Sequence, residues 1–163
     1  MTIKAQRTRT GSALLLLACL VLLAGELAQA KSKYACDQER PETLCNAENT
    51  CGSASSPCTV NITRSKSFAN VKPDLPNAKN NRPFCIKAGT TVVWMSSKKQ
   101  GFTVSFGKES PFDPDRPIMG GGDKQVTTKA IRPGCYKYDV GAFTSGTVYG
   151  MSGGTRLELI ILP

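Results

Sequence analysis

From Phe84 to Leu162 the chain repeats one device, in which short β-branched and aromatic runs are broken by Gly and Pro turns. Phe84 and Ile86 alternate with Cys85 and Lys87 before an Ala88-Gly89 turn. Residues 90–95 are β-branched and carry the single tryptophan, Trp94, and Phe102, Val104 and Phe106 share one face of the next run. Residues 124–131 are threonine-rich and lead to a Pro133-Gly134 turn, after which Tyr136, Tyr138 and Val140 fall on one face. In 155–162, Leu157, Leu159 and Ile161 line one face while Ile160 and Leu162 make the other partly apolar. Upstream, residues 58–63 alternate through Val60 and Ile62. Residues 71–82, rich in Pro, Asn and Lys, read as a loop, and so do residues 110–123, with Pro111, Pro114, Pro117 and Gly120-Gly121-Gly122. Successive strand side chains point to opposite faces, so a period of two marks strands with one buried face, and no window carries helical periodicity. Many short strands between turn signals predict an all-β Greek-key sandwich.

The two ends differ from this body. Lys4, Arg7 and Arg9 precede an apolar run over residues 13–24, and Ala28-Gln29-Ala30 is a small-x-small cleavage site, so residues 1–30 read as a secretory signal peptide cut after Ala30. The run is short for a membrane span, which needs about 20 residues. Cys19 follows Leu-Leu-Ala as a lipid-attachment cysteine would, yet the apolar run continues straight through it. Residues 31–57 are polar and concentrate Asp37, Glu39, Glu42 and Glu48. They are expected as a cysteine-rich extension on a main domain of residues 58–163, not as a domain with its own core. The expected location is secreted or periplasmic, with no integral span after cleavage.

Seven cysteines become six once the leader goes: Cys36, Cys45, Cys51, Cys58, Cys85 and Cys135. An even set in an exported chain predicts three disulfides, for which fifteen connectivities exist. The first four lie close in sequence and are expected to pair among themselves, leaving Cys85 and Cys135 as a long-range staple. A zinc site is the competing reading, but no C-x-x-C knuckle is present and thiolates rarely survive in an oxidising compartment. Losing three basic residues and one acidic residue with the leader moves the net charge from +9 to +7. That balance favours anionic proteins, glycans or envelope components. The cations are scattered and not interleaved with aromatics, so nucleic acid is not expected as a partner.

Four segments carry a family resemblance. Residues 84–94, Phe-Cys-Ile-Lys-Ala-Gly-Thr-Thr-Val-Val-Trp, resemble the strand pair that enters a cupredoxin domain. Gly101-Phe-Thr-Val-Ser-Phe106 is similar to the following strand, which begins with a histidine ligand. Pro133-Gly-Cys-Tyr-Lys-Tyr-Asp-Val140 resembles the strand that ends at the cysteine ligand, and residues 150–159 resemble the methionine-ligand turn and last strand. A blue-copper centre takes two imidazoles, one thiolate and a weak axial thioether. Carried over by position, the first histidine falls at Phe102, the cysteine at Val140 and the methionine at Met151. The second histidine has no counterpart, because the chain contains no histidine. The resemblance therefore implies a cupredoxin-type sandwich with lost copper-ligand positions at Phe102 and Val140. Filling that pocket with apolar groups would stabilise the domain by about 1.5–3 kcal/mol for each side chain. No cofactor is expected; copper stays as the alternative, through a soft Cu(I) site of Met95, Met119 and Met151, since thioethers select Cu(I).

Without histidine the Ser-His-Asp and Cys-His nucleophile systems are excluded. Asp113, Asp115 and Asp123 could serve a carboxylate hydrolase or hold calcium, but their Asp-Pro and Asp-Arg-Pro settings are first of all turn formers. Asn61-Ile62-Thr63 is a glycosylation sequon, usable in a eukaryotic source. Phe143 and Tyr149, with Tyr136 and Tyr138 nearby, mark an aromatic interaction patch around residues 141–154, although the last two fit a strand's half-buried face as well. The function expected is a non-enzymatic exported binding or structural module, as the resemblance implies for the early nodulin-like and ephrin branches of the fold. The alternative is an atypical copper or electron-transfer protein.

Overall fold

The computed structural model of the chain describes residues 32–150 and 156–163; Ser32–Pro163 forms one compact unit. Among the described residues eleven strands follow two short 3-10 turns, Ala35–Asp37 and Pro41–Leu44. They are β1 (Cys58–Ser65), β2 (Phe68–Pro73), β3 (Phe84–Lys87), β4 (Thr91–Met95), β5 (Gly101–Ser105) and β6 (Phe112–Asp113). The others are β7 (Ile118–Gly120), β8 (Val126–Ala130), β9 (Gly134–Thr144), β10 (Thr147–Tyr149) and β11 (Leu157–Leu162). One sheet runs β2-β1-β4-β8-β6 and the other β3-β11-β9-β5-β7, with β10 folded back on β9. Two pairings are parallel, β1 with β4 and β3 with β11; the rest are antiparallel. The fold is an all-β Greek-key sandwich with a disulfide-tied N-terminal segment.

The period-two reading accounts for the core. Val60 and Ile62 of β1, Val92 and Trp94 of β4, Phe102 and Val104 of β5, and Leu157, Leu159 and Ile161 of β11 all point between the sheets and are buried. Trp94 stands edge-on to Phe112, with ring centres 5.7 Å apart, and donates its indole N–H to Thr128 Oγ1 at 3.0 Å. That bond answers the indole's polar atom, a requirement for burying tryptophan. Phe106 continues the aromatic stack from Phe112, at 5.3 Å, to Tyr138, at 5.1 Å.

Three expectations need correction. Residues 71–82 are not all loop, because Phe68–Pro73 forms β2 with Ala69, Val71 and Pro73 turned inward. Pro73 sits there because β2 is an edge strand, where a missing N–H costs little. The long loop over 110–123 contains β6 and β7, each too short to show a period. It also holds a cis peptide at Asp113-Pro114. Thirdly, the cysteines pair Cys36–Cys135, Cys45–Cys85 and Cys51–Cys58. Cys85 and Cys135 do not bond each other; each anchors a cysteine of the N-terminal segment. They lie on β3 and β9, the two strands that flank β11, where Ile160 separates them, pairing with Cys85 on one side and Cys135 on the other.

That geometry explains the second apolar face of β11. Ala35, Cys85 and Ile160 form a small buried cluster on the outside of the sheet, joined by Leu44, Cys45, Cys135 and Leu162. Glu158 lies on the same face and is 2% exposed. Its two carboxylate oxygens accept the backbone N–H groups of Ala35, at 2.7 Å, and Cys36, at 3.1 Å. A buried carboxylate needs such partners, and here the N-terminal segment supplies them.

Candidate functional site

Two of the ligand positions implied by the resemblance, Phe102 and Val140, lie on the paired strands β5 and β9. β5 and β9 pair antiparallel, with Phe102 opposite Ala142 and Val104 opposite Val140. Phe102 and Val140 are each 1% exposed, inside the main core. The ring of Phe102 lies against Gly120 of β7 so closely that a Cβ added there would stand 2.6 Å from its Cζ. β9 does not stop at Val140. It continues through Gly141, Ala142 and Phe143 to Thr144, turns at Ser145 and Gly146, both with positive φ, and returns as β10. A hairpin thus occupies the chain just after Val140. Gly150, which follows it, presses on β2: a Cβ there would lie 2.4 Å from the Ala69 nitrogen.

The methionines do not share one setting. Met95 is half-buried at the end of β4, while Met119 is 62% exposed on β7. Met151 lies outside the described residues. Phe143 is half-buried and packs across Gly101, its cross-strand partner; the side chain of Tyr149 lies outside the described part. Tyr136 and Tyr138 belong to the aromatic stack, not to a surface patch. Tyr138 is buried, and burial pushes its phenol far above the ordinary tyrosine range. Tyr136 is raised too, chiefly by desolvation, and its hydroxyl donates to the Arg132 carbonyl at 3.0 Å.

The three aspartates have separate occupations. Asp115 accepts the Ser110 N–H at 2.9 Å and lies 3.8 Å from Arg132. Asp113 pairs in β6 opposite Lys129, and Asp123 bonds Lys99 at 2.8 Å. Among the described residues no group of three or more His, Cys, Asp or Glu is arranged to hold a metal. The side-chain amide of Asn61 is bound to Ser97 twice, Nδ2 donating to its Oγ and Oδ1 accepting its N–H, both at 2.9 Å.

One charged cluster was missed in the sequence. Asp37 takes an ion pair from Lys137 and a second from Arg156, the latter at 2.9 Å, and Arg156 also lies over the Tyr34 ring, 4.8 Å from its centre. The hydrogen bond from Lys137 is the largest influence and holds the Asp37 carboxyl below its ordinary range; desolvation comes next and opposes it, and the charges of Lys137 and Arg156 add further lowering. No local motif announces this cluster, since Asp37 lies 100 positions from Lys137 and 119 from Arg156. For Glu158 a signal did exist: one acid within Leu-Glu-Leu-Ile-Ile-Leu, on a face otherwise apolar.

No family model matches the chain, and no curated protein matches it. Among solved structures it is similar to reduced rusticyanin, at 16% identity over 69% of this chain and 82% of that one, with a TM-score of 0.43. A structure of rusticyanin from Thiobacillus ferrooxidans gives 16% identity, 69% and 80% coverage and the same TM-score of 0.43. A third, of the copper protein rusticyanin, has a TM-score of 0.41. Among the described residues no helix is long and apolar enough to cross a membrane.

Proposed function

We propose that the chain is a non-enzymatic, exported protein on a cupredoxin-like scaffold whose copper centre is lost, acting as a binding or structural module for an anionic partner outside the cytoplasm. The observation that carries this reading is the burial of Phe102 and Val140, at 1% exposure each, where the resemblance puts an imidazole and a thiolate. The donor set does not fit a blue-copper ion. The chain has no histidine, and its six cysteines beyond the leader are all held in disulfides. Neither phenylalanine nor valine offers a lone pair, so no step is derived through a metal. Export is supported by the leader pattern of residues 1–30 and by three disulfides, which persist in oxidising compartments.

The alternative, a soft copper site, rests on methionine chemistry alone. Copper titration decides between them. The purified protein is mixed with Cu(I) and then Cu(II), and bound metal and optical spectra are recorded. We expect no stoichiometric binding and no thiolate-to-copper absorption. Tight stoichiometric Cu(I), abolished in Met151→Ala, would overturn the copper-free reading. A salt-sensitive partner recovered from envelope or extracellular fractions would support the binding role.

A further inference from the structure

Sheet edges expose unpaired N–H and C=O groups and are usually blunted. Two edges of this sandwich are covered by irregular chain. Along β2, Asn81 accepts the Val71 N–H through its side chain at 2.7 Å and donates its own backbone N–H to the Val71 carbonyl at 2.8 Å. Along β3, Cys85 donates to Asn49 and accepts from Cys51, each at 2.8 Å. On the opposite side the arrangement differs. β7 ends its sheet, with β5 as its partner, and β8 is met by β6 only at Lys129 and Ala130. β7 and β8 are joined at one end, where Gly121 and Lys124 exchange backbone hydrogen bonds at 3.1 Å, and beyond that bridge Val126 to Thr128 face β7 across the open side of the sandwich. A groove of about 400 Å³ lies between them, lined among others by Arg116, Ile118, Met119, Lys124, Val126 and Thr128.

Its chemistry narrows the occupant. Ile118 and Thr128 are buried and make the floor, the Thr128 hydroxyl being taken up by the Trp94 indole, and Met119 stands at the rim, 62% exposed. Arg116 and Lys124 flank the groove, no carboxylate lines it, and neither cation has a carboxylate partner among the described residues. Edge-to-edge pairing with a second copy would set these cations against their own equivalents, and like charges across a pair of strands destabilise it. We propose that the groove binds an extended acidic segment of another protein by strand addition. The partner's backbone pairs along the edge of β7, alternate side chains enter between Ile118 and Val126, and its carboxylates meet Arg116 and Lys124. Main-chain bonds supply affinity in this mode and the pockets and charges supply selectivity. Methionine suits a rim that must adapt to varied side chains.

This inference rests on the binding-module reading, and its test is separate from the copper titration. The probe is a ten-residue peptide of alternating valine and glutamate, added to the purified, isotopically labelled protein. We expect amide shifts concentrated at residues 118–120 and 126–128, binding that weakens with salt, and about a tenfold loss of affinity in Arg116→Glu/Lys124→Glu, whose exposed sites leave the fold intact. Equal binding of the lysine-for-glutamate peptide, unchanged affinity in the charge-reversed variant, or shifts elsewhere would overturn the proposal. Heparin occupying these residues while the peptide does not would also overturn it, assigning the groove to an anionic glycan. Stoichiometric copper would remove the copper-free reading and leave the groove result standing.

Discussion

At the scale of the residue, Phe102 and Gly120 form one unit. The ring fills the space that a side chain at position 120 would need, with Phe102 Cζ at 2.6 Å and Val126 Cγ2 at 2.9 Å from the added Cβ. Gly120→Ala should therefore destabilise the domain by about 1–3 kcal/mol through overpacking. Urea denaturation checks this, and an unchanged midpoint would contradict the packing described. Phe102→Ala should cost about 3–5 kcal/mol, the usual loss for a large buried aromatic, in place of the small effect expected at an open metal pocket. Phe102 itself was legible in the sequence as an inward residue, because Phe102, Val104 and Phe106 keep a strict alternation. Its partner Gly120 was not legible, since a glycine in Gly120-Gly121-Gly122 reads as turn chemistry until the opposing ring is in place.

At the scale of the element, the N-terminal segment behaves as a strap over β11 and its neighbours. Lys137 and Arg156 lower the pKa of Asp37, so its carboxylate is favoured in the folded form. A group depressed on folding contributes stability above its ordinary pKa and loses it as pH falls through the folded value. The strap should hold fully at neutral pH and loosen in acid, below the ordinary carboxylate range. Limited proteolysis within residues 32–50 should accelerate there, and Asp37→Asn should bring that acceleration to neutral pH. Glu158→Gln tests the same strap from beneath. It leaves one acceptor where two backbone donors need answering, a loss of about 1–3 kcal/mol by the cost of an unmet buried group. Among the strands, β1, β3, β4, β5 and β11 were readable, since each has an apolar side facing the core. β6, β7 and β10 have two or three residues and cannot display a period; pairing with longer neighbours makes them strands.

At the scale of the whole molecule, the disulfides divide unequally. Cys36–Cys135 spans 99 positions and Cys45–Cys85 spans 40, whereas Cys51–Cys58 closes a separation of 7. Loop-closure entropy assigns them about 4.7, 3.9 and 2.4 kcal/mol respectively. Replacing both Cys36 and Cys135 by serine should lower unfolding free energy by about 3–5 kcal/mol, more than the same change at Cys51 and Cys58. Equal losses from the two pairs, measured by denaturant titration, would show that local strain governs in place of chain entropy. The same long bridges bind the acidic, cysteine-rich start of the chain to a basic sandwich, so the N-terminal segment serves as the outer layer of one sheet.

The alternation of apolar residues and the placing of Gly and Pro were enough to determine an all-β sandwich, because side-chain direction in a strand depends on position alone. The absence of histidine removed imidazole from the chemistry open to the chain. Connectivity was a tertiary matter. Cys85 and Cys135 flank Ile160 from the strands on either side of β11, and each bonds a cysteine of the N-terminal segment, a proximity that no spacing encodes. The open side between β7 and β8 was likewise invisible, since an edge exists only once every other strand has found its neighbour.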